Sequence, residues 1–130
     1  STHTRLWKQV FGERAVMVND DKPFLELKDG SILLHGSPWS GKHGLDTNIS
    51  VPLAGICLLE RGAENVIRAA SPEEMLPMLL HESYAPQDPS RMDTYYLLVD
   101  TLAKTVPLWQ MYCNRDPEAA IVAHSAMSRT

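Results

Sequence analysis

The sequence predicts a mixed α/β fold, a mixed β-sheet flanked by helices, formed as a single domain over residues 1–130. Three observations predict it. Helix-period and strand-period segments follow one another as helix, strand, hairpin, strand pair, two helices, strand and helix, which suits neither a bundle nor a sandwich. Asp29-Gly30 sits between two apolar-rich runs and is a strong hairpin signal. Hydrophobic residues make up 44% and charged residues 22% of the 130, a globular composition that rules out wholesale disorder. Such a chain removes roughly two-thirds of its unfolded surface from water.

Each element has its own signal. Between Thr2 and Phe11 the apolar Leu6, Trp7, Val10 and Phe11 share one helical face, and Gly12 is a natural stop. The run from Arg14 to Asn19 reads as a short buried strand ending in the polar turn Asp20 to Pro23. Phe24 to Lys28 alternates as a half-buried strand, and Ser31 to His35 returns beyond the hairpin. Gly36 to Ser50 is a long loop rich in Gly, Ser, Pro, Lys and His, an unusual length without a purpose. Val51 to Leu53 leads into a buried strand over Ala54 to Glu60, and Asn65 to Arg68 is a short one.

Ser71-Pro72-Glu73-Glu74 begins a helix well: a Ser cap, Pro at the first helical position, and carboxylates at the positive end of the dipole. It runs to about His81, with Pro77 expected to kink or restart it. Ser90 to about Lys104 is the longest helix, with Tyr95, Leu98, Val99 and Leu102 on one face. Val106 to Cys113 reads as a strand, and Asp116-Pro117-Glu118 caps a last helix to about Ser128.

Twelve basic against 16 acidic residues leave a formal net charge of −4, which argues against binding nucleic acid by phosphate neutralisation. No apolar run approaches the ~20 residues that span a bilayer. No signal-peptide pattern opens the chain, whose first residues, Ser1 to Lys8, are polar and amphipathic. The expectation is a soluble protein, most simply a cytoplasmic one, with no membrane partner. Cys57 and Cys113 are too few for a disulfide framework and read as buried thiols in a reducing compartment; no pair has zinc-ligand spacing.

Three stretches can carry chemistry. Asn19-Asp20-Asp21-Lys22 places two carboxylates at the end of a strand, where a divalent metal or a general base is useful; the same residues also read as a solvated turn. Ser1-Thr2 opens a helix, where a hydroxyl and free amides suit Mg²⁺ and phosphate, or is an ordinary cap. In His35 to His43, glycines let backbone approach a ligand, Trp39 can stack on a base, Lys42 can pair with phosphate, and either His can move a proton; the bland alternative is a surface loop with one aromatic anchor. Arg61 beside Gly62 can reach an anion or simply decorate a turn. Met75, Met78 and Leu79 read as core, and His81 and His124 as surface or helix-end residues.

The set taken in order resembles a family. Ser1-Thr2-His3-Thr4 with Leu6-Trp7, then Phe11-Gly12, Asn19 to Pro23, His35 to Lys42 and Asn48 to Leu53 are similar to a bacterial branch of the HPr kinase and phosphoenolpyruvate-carboxykinase-like P-loop proteins. The resemblance covers nearly the whole chain, most closely to about Tyr84. It implies a P-loop carboxykinase-like core lacking its N-terminal part, because the chain opens inside the Walker A motif. The expectation is therefore the carboxyl-terminal portion of a longer nucleotide-binding domain, its open sheet edge inviting homo-oligomerisation.

By the same resemblance, Ser1 matches the Mg²⁺-binding hydroxyl, and Asp20 and Asp21 match an acidic pair that binds metal and activates the attacking hydroxyl. Thr2, Trp39 and Lys42 fall to the nucleotide, and His35 to the catalytic group, in a loop over the phosphates or the acceptor. The implied parent is an ATP- and Mg²⁺-dependent kinase acting on a serine of a protein or peptide, with this portion inactive alone. Two alternatives stand beside it: a non-catalytic binding or regulatory module of the same fold, and a small-molecule phosphotransferase whose basic loop around Lys42 and His43 holds an acidic substrate.

Overall fold

The structure, a computed structural model, describes residues 2–19, 23–36, 49–83 and 85–128. The fold is mixed α/β as expected, but its strands form two three-stranded sheets rather than one mixed sheet. The elements run α1 (Thr2–Phe11), a 3-10 turn (Gly12–Arg14), β1 (Phe24–Lys28), β2 (Ser31–His35), β3 (Ser50–Pro52), β4 (Ile56–Arg61) and β5 (Val66–Ala69). Then come α2 (Pro72–Glu82), a second 3-10 turn (Pro89–Arg91), α3 (Met92–Thr105), β6 (Leu108–Cys113) and α4 (Glu118–Met127). Among the described residues, no helix is long and apolar enough to cross a membrane.

The first sheet is antiparallel, in the order β1-β2-β3. Its hairpin turns at Asp29 (φ 53°) and Gly30 (φ 79°), two left-handed residues in succession, the geometry whose twist matches the flanking strands. The second sheet has the order β4-β6-β5. There β4 and β6 are parallel, with Ile56 opposite Leu108 and Arg61 opposite Cys113, and β5 is antiparallel to β6. The chain leaves β4, makes β5, α2 and α3, and returns through the middle of the sheet as β6.

Side-chain alternation divides the core in two. On one face of the second sheet Met111, fully buried, meets Leu6 of α1 and Ala119, Ala120 and Ala123 of α4, with Cys57, Ile67 and Cys113 packed around them. Three alanines on α4 let α1 approach closely enough to seat Trp7, Val10 and Phe11. On the other side, Ile32 of β2, Leu102 of α3 and Val106 form a second cluster with Leu25, Leu27, Leu53 and Ile56. This cluster joins the antiparallel sheet to α3.

Several local expectations are corrected. Arg14 to Asn19 is no buried strand: Gly12 takes φ 61°, a 3-10 turn follows, Val16 is exposed, and only Asn19 makes an isolated bridge. Ser50–Pro52, where the expected loop meets its lead-in, form β3. Pro77 does not interrupt α2, which is one helix to Glu82. Its missing N–H leaves the Glu73 carbonyl without a donor, yet the helix persists because Met75 is buried against the core and Ser71 and Glu74 close a reciprocal capping box. Val106 ends α3 rather than starting β6, its N–H donating to Leu102 O at 3.1 Å. The start of α4 has no side-chain cap; Ala119 N–H donates to Asp116 O at 3.0 Å instead.

Candidate functional site

Parallel pairing brings the carboxyl ends of β4 and β6 together. Ligands of open α/β sheets bind at that end of the strands. Arg61 closes β4, Gly62 follows it, and Asn114 and Arg115 follow β6. The first turn of α1, Thr2 and His3, lies across the same end, and these six residues line a cleft of about 470 Å³. Small-molecule sites commonly occupy ~300–1,000 Å³.

The walls are set by specific bonds. Gly62 N–H donates to Cys113 O at 3.0 Å, tying the two strand ends. A Cβ at Gly62 would stand 3.0 Å from Tyr112 Cβ, so glycine is what permits the close approach. Asn114 fastens the neighbouring turns: its N–H donates to Asn65 Oδ1 at 3.0 Å, and its Nδ2 donates to Ala63 O at 3.2 Å. Its Oδ1 accepts from Asp116 N–H at 3.0 Å. Arg115 thus projects from a turn held by three hydrogen bonds.

The cleft is electropositive in a chain of net charge −4. No carboxylate lines it, and neither Arg61 nor Arg115 is engaged by one among the described residues. His3 Nε2 accepts from Trp7 Nε1 at 2.9 Å, so in the neutral ring the proton resides on Nδ1. That Nδ1 is buried and has no partner among the described residues. Burial holds His3 below its ordinary pKa. Two guanidinium groups and the amide end of a helix are a donor set for an anion, with the bidentate geometry of Arg suited to phosphate.

Of the residues anticipated from the sequence, Thr2 lines the cleft. Ser1, Asp20, Asp21, Trp39 and Lys42 lie outside the described residues. His35 is on β2 of the other sheet and does not line the cleft; its Nδ1 lies 2.6 Å from Ser50 Oγ and its Nε2 3.1 Å from Glu26 Oε1. Arg61, weighed from the sequence as either anion ligand or turn residue, is in the cleft. His3, Asn114 and Arg115 were not singled out. A basic residue within two positions of the end of an expected strand run is the available signal, for Arg115 as for Arg61.

Cys57 and Cys113 are free thiols, half-buried on the sheet face that carries Met111. Burial pushes Cys57 up to about 11 and raises Cys113 as well, so neither is a ready nucleophile at neutral pH. Among the described residues no group of three His, Cys, Asp or Glu side chains is placed to hold a metal ion. No family model, curated protein or solved structure matches the chain.

Proposed function

We propose that this cleft binds the phosphates of ATP, and that the chain is part of a Mg²⁺-dependent phosphotransferase of the HPr kinase-like kind, acting on a serine of a protein or peptide. One observation carries the reading: two arginines without an ion-pair partner among the described residues and the first turn of α1 converge at the carboxyl ends of two parallel strands. Bound MgATP supplies the phosphoryl group and part of the charge neutralisation. The chain's own residues position it. Arg61 and Arg115 hold phosphate oxygens from opposite strand ends, and Asn114 keeps Arg115 in place. His3 lines the same wall, its tautomer fixed by Trp7. Charge borne by the arginines is available without reorganisation when it is needed on the transferred group. Ser1, Asp20 and Asp21 are the proposed metal ligands and Thr2, Trp39 and Lys42 the further nucleotide contacts, by the resemblance described above; His35 stands apart from the cleft.

Calorimetric titration with ATP, ADP and inorganic phosphate, each with Mg²⁺, tests the reading. A hydrogen bond to a charged group contributes about 1.5–3 kcal/mol, so Arg61→Ala and Arg115→Ala should each weaken ATP binding by roughly 10- to 100-fold. Absence of binding by any of the three ligands, or affinity unchanged in both variants, overturns it. Transfer to serine-bearing peptides from γ-labelled ATP, measured on a longer version that carries the whole Walker A loop, then separates a kinase from a phosphate-binding module.

A further inference from the structure

A second constellation lies on the outer face of the antiparallel sheet, built from one residue of each strand: Glu26 of β1, His35 of β2 and Ser50 of β3. Ser50 stands directly opposite His35, and Glu26 is two residues along β1 from Phe24, the opposite neighbour of His35, so all three side chains emerge on one face. Gly36 N–H donates to Ile49 O and Leu53 N–H to Ile32 O. Those bonds make His35 and Ser50 a non-hydrogen-bonded pair, the kind in which opposed side chains come closest.

The hydrogen-bond directions follow from the donor inventory. An ionised Glu26 only accepts, so His35 Nε2 carries the proton and donates to Oε1 at 3.1 Å. Nδ1 is then unprotonated and accepts from the Ser50 hydroxyl at 2.6 Å. A hydroxyl donating to an imidazole that is itself held by a carboxylate is the arrangement that activates a nucleophile. The roles of the two ring nitrogens are exchanged relative to the common serine triad. Ser50 is exposed, so an electrophile can reach its oxygen. Because the pair is of the non-hydrogen-bonded type, the Ser50 backbone N–H points away from β2 toward the open edge of β3, where it can donate to a developing oxyanion.

We propose that Ser50 is an activated nucleophile that takes an acyl group from activated esters, with His35 as its general base and Glu26 as the residue that positions His35. Ser50 Oγ bonds to the ester carbonyl carbon as its proton moves to His35 Nδ1. The bond from that carbon to the leaving oxygen breaks, and the proton passes to that oxygen, giving acyl-Ser50 and the free alcohol. Water then attacks the acyl carbon, its proton passing through His35 Nδ1 to Ser50 Oγ, which releases the acid. Nothing in this chemistry depends on the phosphate cleft, and its test is independent of nucleotide binding.

The probe is p-nitrophenyl acetate, with peptide mass spectrometry to locate the acetyl group and release of p-nitrophenol to give the rate. General-base assistance is worth about 10²–10⁴-fold. Acetylation should appear on Ser50 and vanish in Ser50→Ala. The rate should fall at least ~100-fold in His35→Gln and by a smaller factor in Glu26→Gln. The hydrogen bonds among these three side chains are exposed and contribute little stability, so all three variants should keep the wild-type circular dichroism spectrum. Acetylation confined to other residues, or an equal rate in His35→Gln, overturns the proposal. The location of the acetyl group is read on the wild-type protein and needs no variant to fold.

Discussion

Trp7 donates its indole proton to His3 Nε2 across one turn of α1, at 2.9 Å. The bond links the core to the cleft. Trp7 packs with Phe11 and His124 between α1 and α4, while His3 lines the cleft at the ends of β4 and β6. A core aromatic therefore sets which imidazole nitrogen carries the proton at the candidate site. With its folded pKa lowered by burial, His3 binds fewer protons in the native state than in the unfolded chain. Stability then rises with pH across the interval from the folded pKa up to the ordinary 6.5, and is lost as pH falls through it. An NMR titration should place the His3 midpoint below 6.5. Inorganic phosphate should move it upward, because an anion in the cleft favours the imidazolium. Trp7→Phe should remove the tautomer preference. A midpoint at or above the ordinary value, unmoved by phosphate, contradicts the anion-site assignment.

Met111 is the pivot of the α1–α4 layer. It is completely buried at the centre of the second sheet, on β6, and touches the cluster of Leu6, Ala119, Ala120 and Ala123. Met111→Ala should cost about 2–5 kcal/mol, because α4 already presents small residues and has little side chain with which to fill the space. Urea denaturation checks the magnitude. A loss below about 1 kcal/mol would mean the helices close onto the sheet without strain.

Several local signals in the sequence match the structure, although the Pro77 break and the side-chain cap expected at Asp116 do not. The face formed by Leu6, Trp7, Val10 and Phe11, the turn at Asp29-Gly30, and the start of α2 at Ser71-Pro72 depend on neighbours within a few residues. The other errors arose where a distant partner decides. Ala15-Val16-Met17-Val18 has strand composition, yet no strand pairs with it, and the positive φ at Gly12 turns the chain instead. Ser50–Pro52 is too short to read as a strand and becomes one because β2 offers a paired edge. The cleft shows the same limit. Arg61 and Arg115 are separated in sequence by β5, two helices and β6, and only the parallel register of β4 with β6 brings their strand ends together. Periodicity announces a strand but not its neighbour.

Gly30 has a positive φ of 79° with open space where a Cβ would go. Strain alone therefore decides the effect of a side chain there. Gly30→Ala should lose about 1–2 kcal/mol to left-handed backbone and recover about 0.4–1 kcal/mol from a stiffer unfolded chain. A net loss of up to about 1.5 kcal/mol is expected. Gly30→Asn, which tolerates the same backbone, should lose less. Thermal unfolding of the two variants checks the order; equal stability would mean the turn had changed type.

Glu74 closes the capping box of α2 and also receives Arg68 of β5. Its Oε1 accepts from Ser71 N–H at 3.2 Å, and its Oε2 lies 2.7 Å from Arg68 Nη2, a guanidinium that also contacts Gln110 of β6. The Arg68 hydrogen bond is the larger cause, and the Ser71 amide the next, of a carboxyl pKa depressed to about 2. A depressed carboxyl binds fewer protons folded than unfolded. Its contribution to stability is therefore complete above the ordinary value of 4.5 and disappears as pH falls from there through about 2. Urea midpoints measured at several pH values across that window should decline in the wild-type protein. Glu74→Gln keeps an oxygen for the Ser71 amide but gives Arg68 no charge, so its midpoints should start lower and decline less steeply. Both side chains are exposed at the edge of the sheet, where salt screens their attraction. Raising the ionic strength should accordingly narrow the difference between the two proteins at pH 6 while leaving the capping hydrogen bond in place. Parallel pH profiles for wild type and Glu74→Gln would show that the arginine contact does not persist in solution.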